Sequence, residues 1–174
     1  MLLVKKIFSV LRNPSLFRTM AIMAFFLMLV QVNRVGGGVL ASELSDGYSL
    51  SPTMIGLVIG SMFFAAAVVQ VPVGLMLDSF GARRTLVGLS VIAVSGMILI
   101  GFASGAAELI IGRILVGIGH GASITGVYLL AVVWTSPERV STVAAITIAV
   151  GGALGGILGT APLAMSFETL GFSD

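Results

Sequence analysis

Few side chains in this sequence are ionisable, and Arg34 is one of two cations that lie inside long apolar segments. Gln31 precedes it by three residues, so both side chains face the same side of a predicted helix. An arginine at such a position either binds an anion in a water-filled cavity or extends its charged end to the edge of the apolar layer. The sequence leaves both alternatives open.

A second group of polar residues shares one face of another apolar segment. Arg113 and His120 are seven residues apart with Gly117 between them, which predicts a common helix face. A buried histidine relays protons readily because its pKa is close to physiological pH; alternatively, it hydrogen-bonds to a neighbouring helix. The residues that we predict to bind a substrate are Gln31, Arg34, His120 and Tyr128.

Several classes of site are missing from the sequence. The chain has no cysteine and one histidine, which argues against disulfides, thiolate metal sites and other protein-bound metals. No nucleophile lies near a base in a recognisable pattern, and the Gly-x-Gly stretches lie inside apolar helices without a preceding strand, unlike a dinucleotide-binding turn. We therefore predict a protein that is not an enzyme, carries no cofactor and binds no nucleic acid.

The composition indicates a protein whose solvent is lipid. Only 9% of the 174 residues are charged, against about 25% in soluble domains, and the mean hydropathy is +1.16. The chain contains 23 glycines, and small residues allow helix backbones to approach closely in a membrane. The predicted fold class is therefore an all-α bundle of transmembrane helices.

Five apolar segments approach the ~20 residues that cross a bilayer. We predict these helices over residues 17–40, 52–77, 85–104, 108–134 and 140–165, between a basic N-terminus (1–16) and a short tail (166–174). Ser51 and Pro52 are typical of the N-cap and first turn of a helix. The first segment is longer than the 7–15 apolar residues at the core of a signal peptide, so we expect a transmembrane helix there rather than a cleaved signal.

Positive charge is distributed unequally between the two sides of such a bundle. If the N-terminus is cytoplasmic, no Lys or Arg lies on the outer side, which carries Glu43, Asp46 and Glu108. The cytoplasmic segments then contain Lys5, Lys6, Arg12, Arg18, Arg83, Arg84 and Arg139. Because positively charged segments remain in the cytoplasm, we predict a multi-pass protein of the inner (plasma) membrane with this orientation. Five crossings place the C-terminal tail outside.

A charged turn, defined here as Gly74–Arg84, separates the second and third apolar segments. We expect Gly74 to permit close helix contact, Gly81 to adopt a positive φ, and Asp78 to accept hydrogen bonds from helix N-termini or a nearby arginine. In that position the turn resembles the signature of the major facilitator superfamily. The matching residues are Gly74, Asp78, Gly81, Arg83 and Arg84, whereas Met76, Ser79 and Ala82 depart from the pattern.

Other segments support the resemblance, which extends from about Leu16 to Gly171. The stretch Arg113–Gly119 is similar to a pattern in the family's fourth helix, with Val116 where glutamine is common. The glycines from Gly151 to Gly159 make the fifth segment glycine-dense, although it lacks the family's antiporter signature.

The resemblance implies the first five helices of a six-helix N-terminal half, in a family with twelve helices and a mid-membrane substrate site. It also implies a structural or coupling role for Arg113. Together with Glu138 and Arg139, the charged turn is expected to form a cytoplasmic charge network that changes with conformation.

The expected function is secondary active transport of small solutes by alternating access, driven by H⁺ or Na⁺, as a symporter. Arg34 favours organic anions as the substrates. The chain looks cut short, so two alternatives remain: a truncated protein that does not transport, or a subunit that requires a separately encoded second half. A neighbouring reading frame with about seven more helices would favour the second alternative.

Overall fold

The computed structural model describes residues 14–39 and 48–169, and side chains within these ranges except at 38–39 and 161–169. The basic N-terminus through residue 13, the first loop with Glu43 and Asp46, and the tail after residue 169 lie outside the described residues. The structure contains α1 (Pro14–Val39), α2 (Pro52–Phe80), α3 (Ala82–Gly101), α4 (Ala106–His120), α5 (Ser123–Trp134) and α6 (Pro137–Thr169).

The predicted all-helical membrane fold is confirmed. In the part of the chain that the structure describes, five helical segments are long and apolar enough to cross a bilayer, and α4 and α5 together form one of them. Large apolar side chains on their outer surfaces are exposed, with 73% of Phe64 and 74% of Val71 accessible. Such surfaces are stable next to lipid tails, which are as apolar as the side chains themselves.

Helix α2 begins with the cap predicted from its sequence. The Ser51 hydroxyl accepts a hydrogen bond from the backbone N–H of Met54 at 3.3 Å, and Pro52 occupies the first turn. At this position a proline costs no hydrogen bond, because the first N–H groups of a helix have no intrahelical partner. The helix then continues three residues beyond the predicted end, to Phe80.

Helix α4 begins with a different cap. The Glu108 carboxylate accepts hydrogen bonds from the backbone N–H groups of Ser104 and Gly105, the latter at 3.1 Å. An acidic side chain is favourable there because the N-terminus of a helix carries partial positive charge. Glu108 therefore caps the N-terminus of α4.

The predicted continuous helix over 108–134 is interrupted in the structure, where α4 ends at His120 and α5 begins at Ser123. The Gly121 N–H donates to the carbonyl of Ile118, three residues back, at 3.1 Å. Such a bond tightens the turn relative to the four-residue spacing of an α-helix. Glycine also lowers helix propensity, and a Cβ at Gly121 would collide with Val69 of α2.

The chain divides into two compact units. The first contains residues 14–36 of α1 together with α5 and α6, and the second contains the described residues between Gly37 and Ala122. Glycines make close backbone contacts inside each unit. In the second, a Cβ at Gly96 of α3 would lie 2.6 Å from the Gly112 carbonyl oxygen of α4. In the first, a Cβ at Gly151 of α6 would lie 2.6 Å from the Ala24 carbonyl oxygen of α1.

Candidate functional site

A single residue separates helices α2 and α3 in the charged turn. Gly81 has φ 77° and ψ 160°, in a backbone region that is essentially restricted to glycine. Its N–H donates to the Leu77 carbonyl at 3.1 Å, and its own carbonyl accepts from the Thr85 N–H at 3.2 Å. The predicted positive φ is confirmed, and it lets the chain begin a second helix immediately.

The buried side chain of Thr85 stabilises the same turn from the start of α3. Its hydroxyl donates to the Met76 carbonyl of α2 at 3.0 Å. Sequence reasoning missed this residue. The available signal was a hydroxyl in the first turn of a helix that directly follows a tight reversal, since such hydroxyls readily satisfy backbone groups.

The charged side chains of the turn, on Asp78, Arg83 and Arg84, are exposed. Within the described ranges, no hydrogen bond reaches the Asp78 carboxylate, so its predicted role as an acceptor stays a prediction. A Cβ at Gly74 would meet no described atom within 4 Å, so the expected close helix contact there also stays a prediction. Glu138 and Arg139 are also exposed, at the start of α6 in the first unit. The charge network remains a prediction.

The predicted face of α4 packs against α2 in the second unit. A Cβ at Gly117 would collide with the Met62 carbonyl oxygen, so a side chain larger than hydrogen does not fit. One turn earlier, Arg113 is buried, and its Nη1 lies 3.9 Å from the Met62 sulfur. These distances bring Arg113 and Gly117 together against one residue of α2.

Gly37, in the last turn of α1, also contacts Arg113. A Cβ at Gly37 would lie 2.8 Å from Nη1, 2.9 Å from Nη2 and 3.1 Å from Cζ of the arginine. Gly37 is the middle one of three consecutive glycines at 36–38, but the sequence did not show that its neighbour would be a guanidinium.

The candidate substrate-binding residues differ in burial and location. His120 is buried at the end of α4 in the second unit. Gln31 and Arg34 are half-buried on α1, and Tyr128 is 44% exposed on α5, all three in the first unit. A Cβ at Gly155 of α6 would lie 2.6 Å from Cβ of Gln31, which places Gln31 close to the α6 backbone. A shared site for the four residues remains a prediction.

Metal-ligating side chains do not cluster in the part of the chain that the structure describes. No group of three or more His, Cys, Asp or Glu residues there is arranged to hold an ion.

Comparison with known proteins places these features in a family. The model of the Major Facilitator Superfamily matches residues 15–170. Among curated proteins, "Probable sulfoacetate transporter" from Cupriavidus necator is 29% identical over 60% of this chain and 24% of its own length. "Sodium-dependent phosphate transport protein 1" from mouse is 34% identical over 63% of this chain and 26% of its own length.

A third relative, "Arabinose-proton symporter" from Bacillus subtilis, is 36% identical over 49% of this chain and 19% of its own length. The matched region thus spans about a quarter or less of each of these relatives. The family model, in contrast, covers almost all of the described helices. The chain is a multi-pass membrane protein of the transporter family known as the major facilitator superfamily.

Proposed function

We propose that this chain contributes to secondary active transport of small solutes, with organic anions as the substrate class. The observation that carries the proposal is the family match over residues 15–170. The names of two relatives support anions, since sulfoacetate and phosphate are both negatively charged. The protein is a transporter rather than an enzyme in this proposal.

Substrate contact is assigned to Arg34, Gln31, His120 and Tyr128. Arg34 lies inside a segment long enough to cross the membrane, where a charged side chain is costly unless it faces a polar partner or water. A guanidinium offers planar, bidentate hydrogen bonds to carboxylate, sulfonate or phosphate groups. Gln31, one helical turn away, adds a neutral donor and acceptor.

The remaining candidates act in the conformational change. Gly81 sets the reversal between α2 and α3, and Asp78, Arg83 and Arg84 present exposed charges around it. Exposed ion pairs contribute only about 0–1 kcal/mol each, so a conformational latch requires several. The other members of this set are Gly74, Arg113, Gly117, Glu138 and Arg139.

The coupling ion is H⁺ or Na⁺. Support comes from two printed names, a proton symporter and a sodium-dependent protein. His120 is the candidate for proton transfer because an imidazole changes charge near neutral pH. The chain lies in the inner membrane with its N-terminus in the cytoplasm, an orientation supported by the placement of its cations.

Uptake by Arg34 variants tests the substrate class. The assay uses proteoliposomes containing the protein from its complete reading frame, with labelled sulfoacetate, phosphate and arabinose. We expect Arg34→Gln to reduce anion uptake at least tenfold, which corresponds to about 1.4 kcal/mol, mainly by raising KM. The matched variant Arg34→Lys retains charge and should lose less activity. Equal anion uptake by wild type and Arg34→Gln would contradict the assignment.

A further inference from the structure

The guanidinium of Arg113 lies where a side chain of Gly37 would otherwise be. The three atoms nearest to a Cβ at Gly37 are Nη1, Nη2 and Cζ of Arg113, at 2.8, 2.9 and 3.1 Å. All three belong to the planar end of one side chain. Distances below 3.0 Å leave no room for both a methyl group and the guanidinium in its present position, so a residue other than glycine at position 37 requires the end of the arginine side chain to shift.

Gly96 and Gly117 of the second unit are close to backbone atoms rather than to a charged group. At Gly117, the nearest atom to an added Cβ is the Met62 carbonyl oxygen, and at Gly96 it is the Gly112 carbonyl oxygen. Those glycines allow helices to pack. Gly37 differs because it makes space for the end of a flexible arginine.

A second contact favours the cation in this position. Arg113 Nη1 lies 3.9 Å from the polarisable sulfur of Met62 in α2. The guanidinium therefore lies between Gly37 of α1 and Met62 of α2.

We propose that Gly37 is a positioning residue that seats the Arg113 guanidinium against the end of α1. The arginine is buried in a membrane-length segment, where a charged group is costly unless its surroundings stabilise it. Gly37 acts through Arg113 and touches no substrate. The position of the guanidinium does not depend on transport activity. Only the role of Arg113 in the conformational change rests on the proposed function.

Thermal unfolding of this chain in detergent tests the seating. The effect of Gly37→Ala on Tm is measured in three backgrounds: wild type, Arg113→Lys and Arg113→Met. Lysine retains the charge without the planar guanidinium, and methionine removes the charge. Gly56→Ala is the matched control, because a Cβ at Gly56 of α2 would meet nothing within 4 Å.

We expect Gly37→Ala to lower Tm by a few degrees in the wild-type background, less with Arg113→Lys, and not at all with Arg113→Met. Without the guanidinium, alanine should even raise Tm, since it forms helix better than glycine. Gly56→Ala should have the same effect in all backgrounds. The proposal is also supported if Gly37→Ala fails to accumulate in the wild-type background but accumulates in the Arg113→Met background.

An equal effect of Gly37→Ala in all three backgrounds would overturn the proposal, because it would assign Gly37 to helix packing. Failure to accumulate in every background would have the same meaning. If the Arg113→Met background does not fold, the comparison of wild type with Arg113→Lys decides. Uptake is not measured in this experiment, so a failure of the proposed transport function leaves its result unchanged.

Discussion

At the scale of single residues, the charged turn depends on the backbone of Gly81. Its combination of φ 77° and ψ 160° is strained for any residue with a side chain. The space around it is open, because a Cβ there would meet no described atom within 4 Å. A substitution therefore changes the backbone energy without creating a steric collision.

We expect Gly81→Ala to reduce the free energy of unfolding by about 1–3 kcal/mol, the range typical of a strained backbone conformation. The measurement is thermal unfolding in detergent, compared with Gly88→Ala. Gly88 lies within α3 in equally open space, but alanine is favourable in a helix. Equal Tm values for the two variants would contradict the role of Gly81.

The sequence located the intramembrane arginines Arg34 and Arg113, but it could not specify the surroundings of Arg113. For both arginines, a charge inside an apolar segment was visible from the sequence. Two groups that contact Arg113, Gly37 and the Met62 sulfur, are 76 and 51 residues away along the chain. No local pattern links residues so distant, because only the packing of the helices brings them together.

At the scale of helices, the glycines of α6 determine how closely it approaches α1. A Cβ at Gly155 would collide with the Met28 carbonyl oxygen, and one at Gly151 would lie 2.6 Å from the Ala24 carbonyl oxygen. The adjacent residues Gly152 and Gly156 have no described atom within 4 Å of such a Cβ. The face of α6 that contacts α1, with Gly151 and Gly155, therefore requires glycine. The adjacent face, with Gly152 and Gly156, does not.

We expect Gly151→Ala to lower the free energy of unfolding by about 1–3 kcal/mol, as for overpacking elsewhere, because the nearest atom belongs to backbone. Gly152→Ala should be neutral or stabilising. Thermal unfolding of this neighbouring pair in detergent gives the comparison. A loss of stability in Gly152→Ala that matches Gly151→Ala would show that helix flexibility, rather than close packing, explains the glycines.

Local signals located the helix ends better than they located the contacts. The Ser51 cap and the reversal at Gly81 each depend on residues within four positions of one another, and the sequence predicted both. The interruption after His120 was not predicted, because the apolar pattern continues through it. It coincides with the collision that a Cβ at Gly121 would make with Val69, which only the structure shows.

At the scale of the whole molecule, the orientation in the membrane is open to a direct test. The chain has no native cysteine, so one introduced cysteine reports its own accessibility. Ser79, Ser104 and Ser136 are exposed between or near the ends of helices. The proposed orientation places Ser104 outside and the other two in the cytoplasm.

We expect a membrane-impermeant maleimide to label Ser104→Cys in intact cells, and to label Ser79→Cys and Ser136→Cys only after the cells are opened. The reason is that positively charged segments such as Arg83–Arg84 and Arg139 are retained in the cytoplasm. A permeant maleimide serves as the control for thiol reactivity. The opposite labelling pattern would reverse the orientation.

Gradient-driven uptake tests the proposed transport activity most directly. Proteoliposomes containing the protein from its complete reading frame are given an inward H⁺ or Na⁺ gradient and labelled sulfoacetate or phosphate. We predict accumulation above the external concentration, and its loss when an ionophore collapses the gradient. Uptake that equals that of empty liposomes for every solute and both ions would contradict the account.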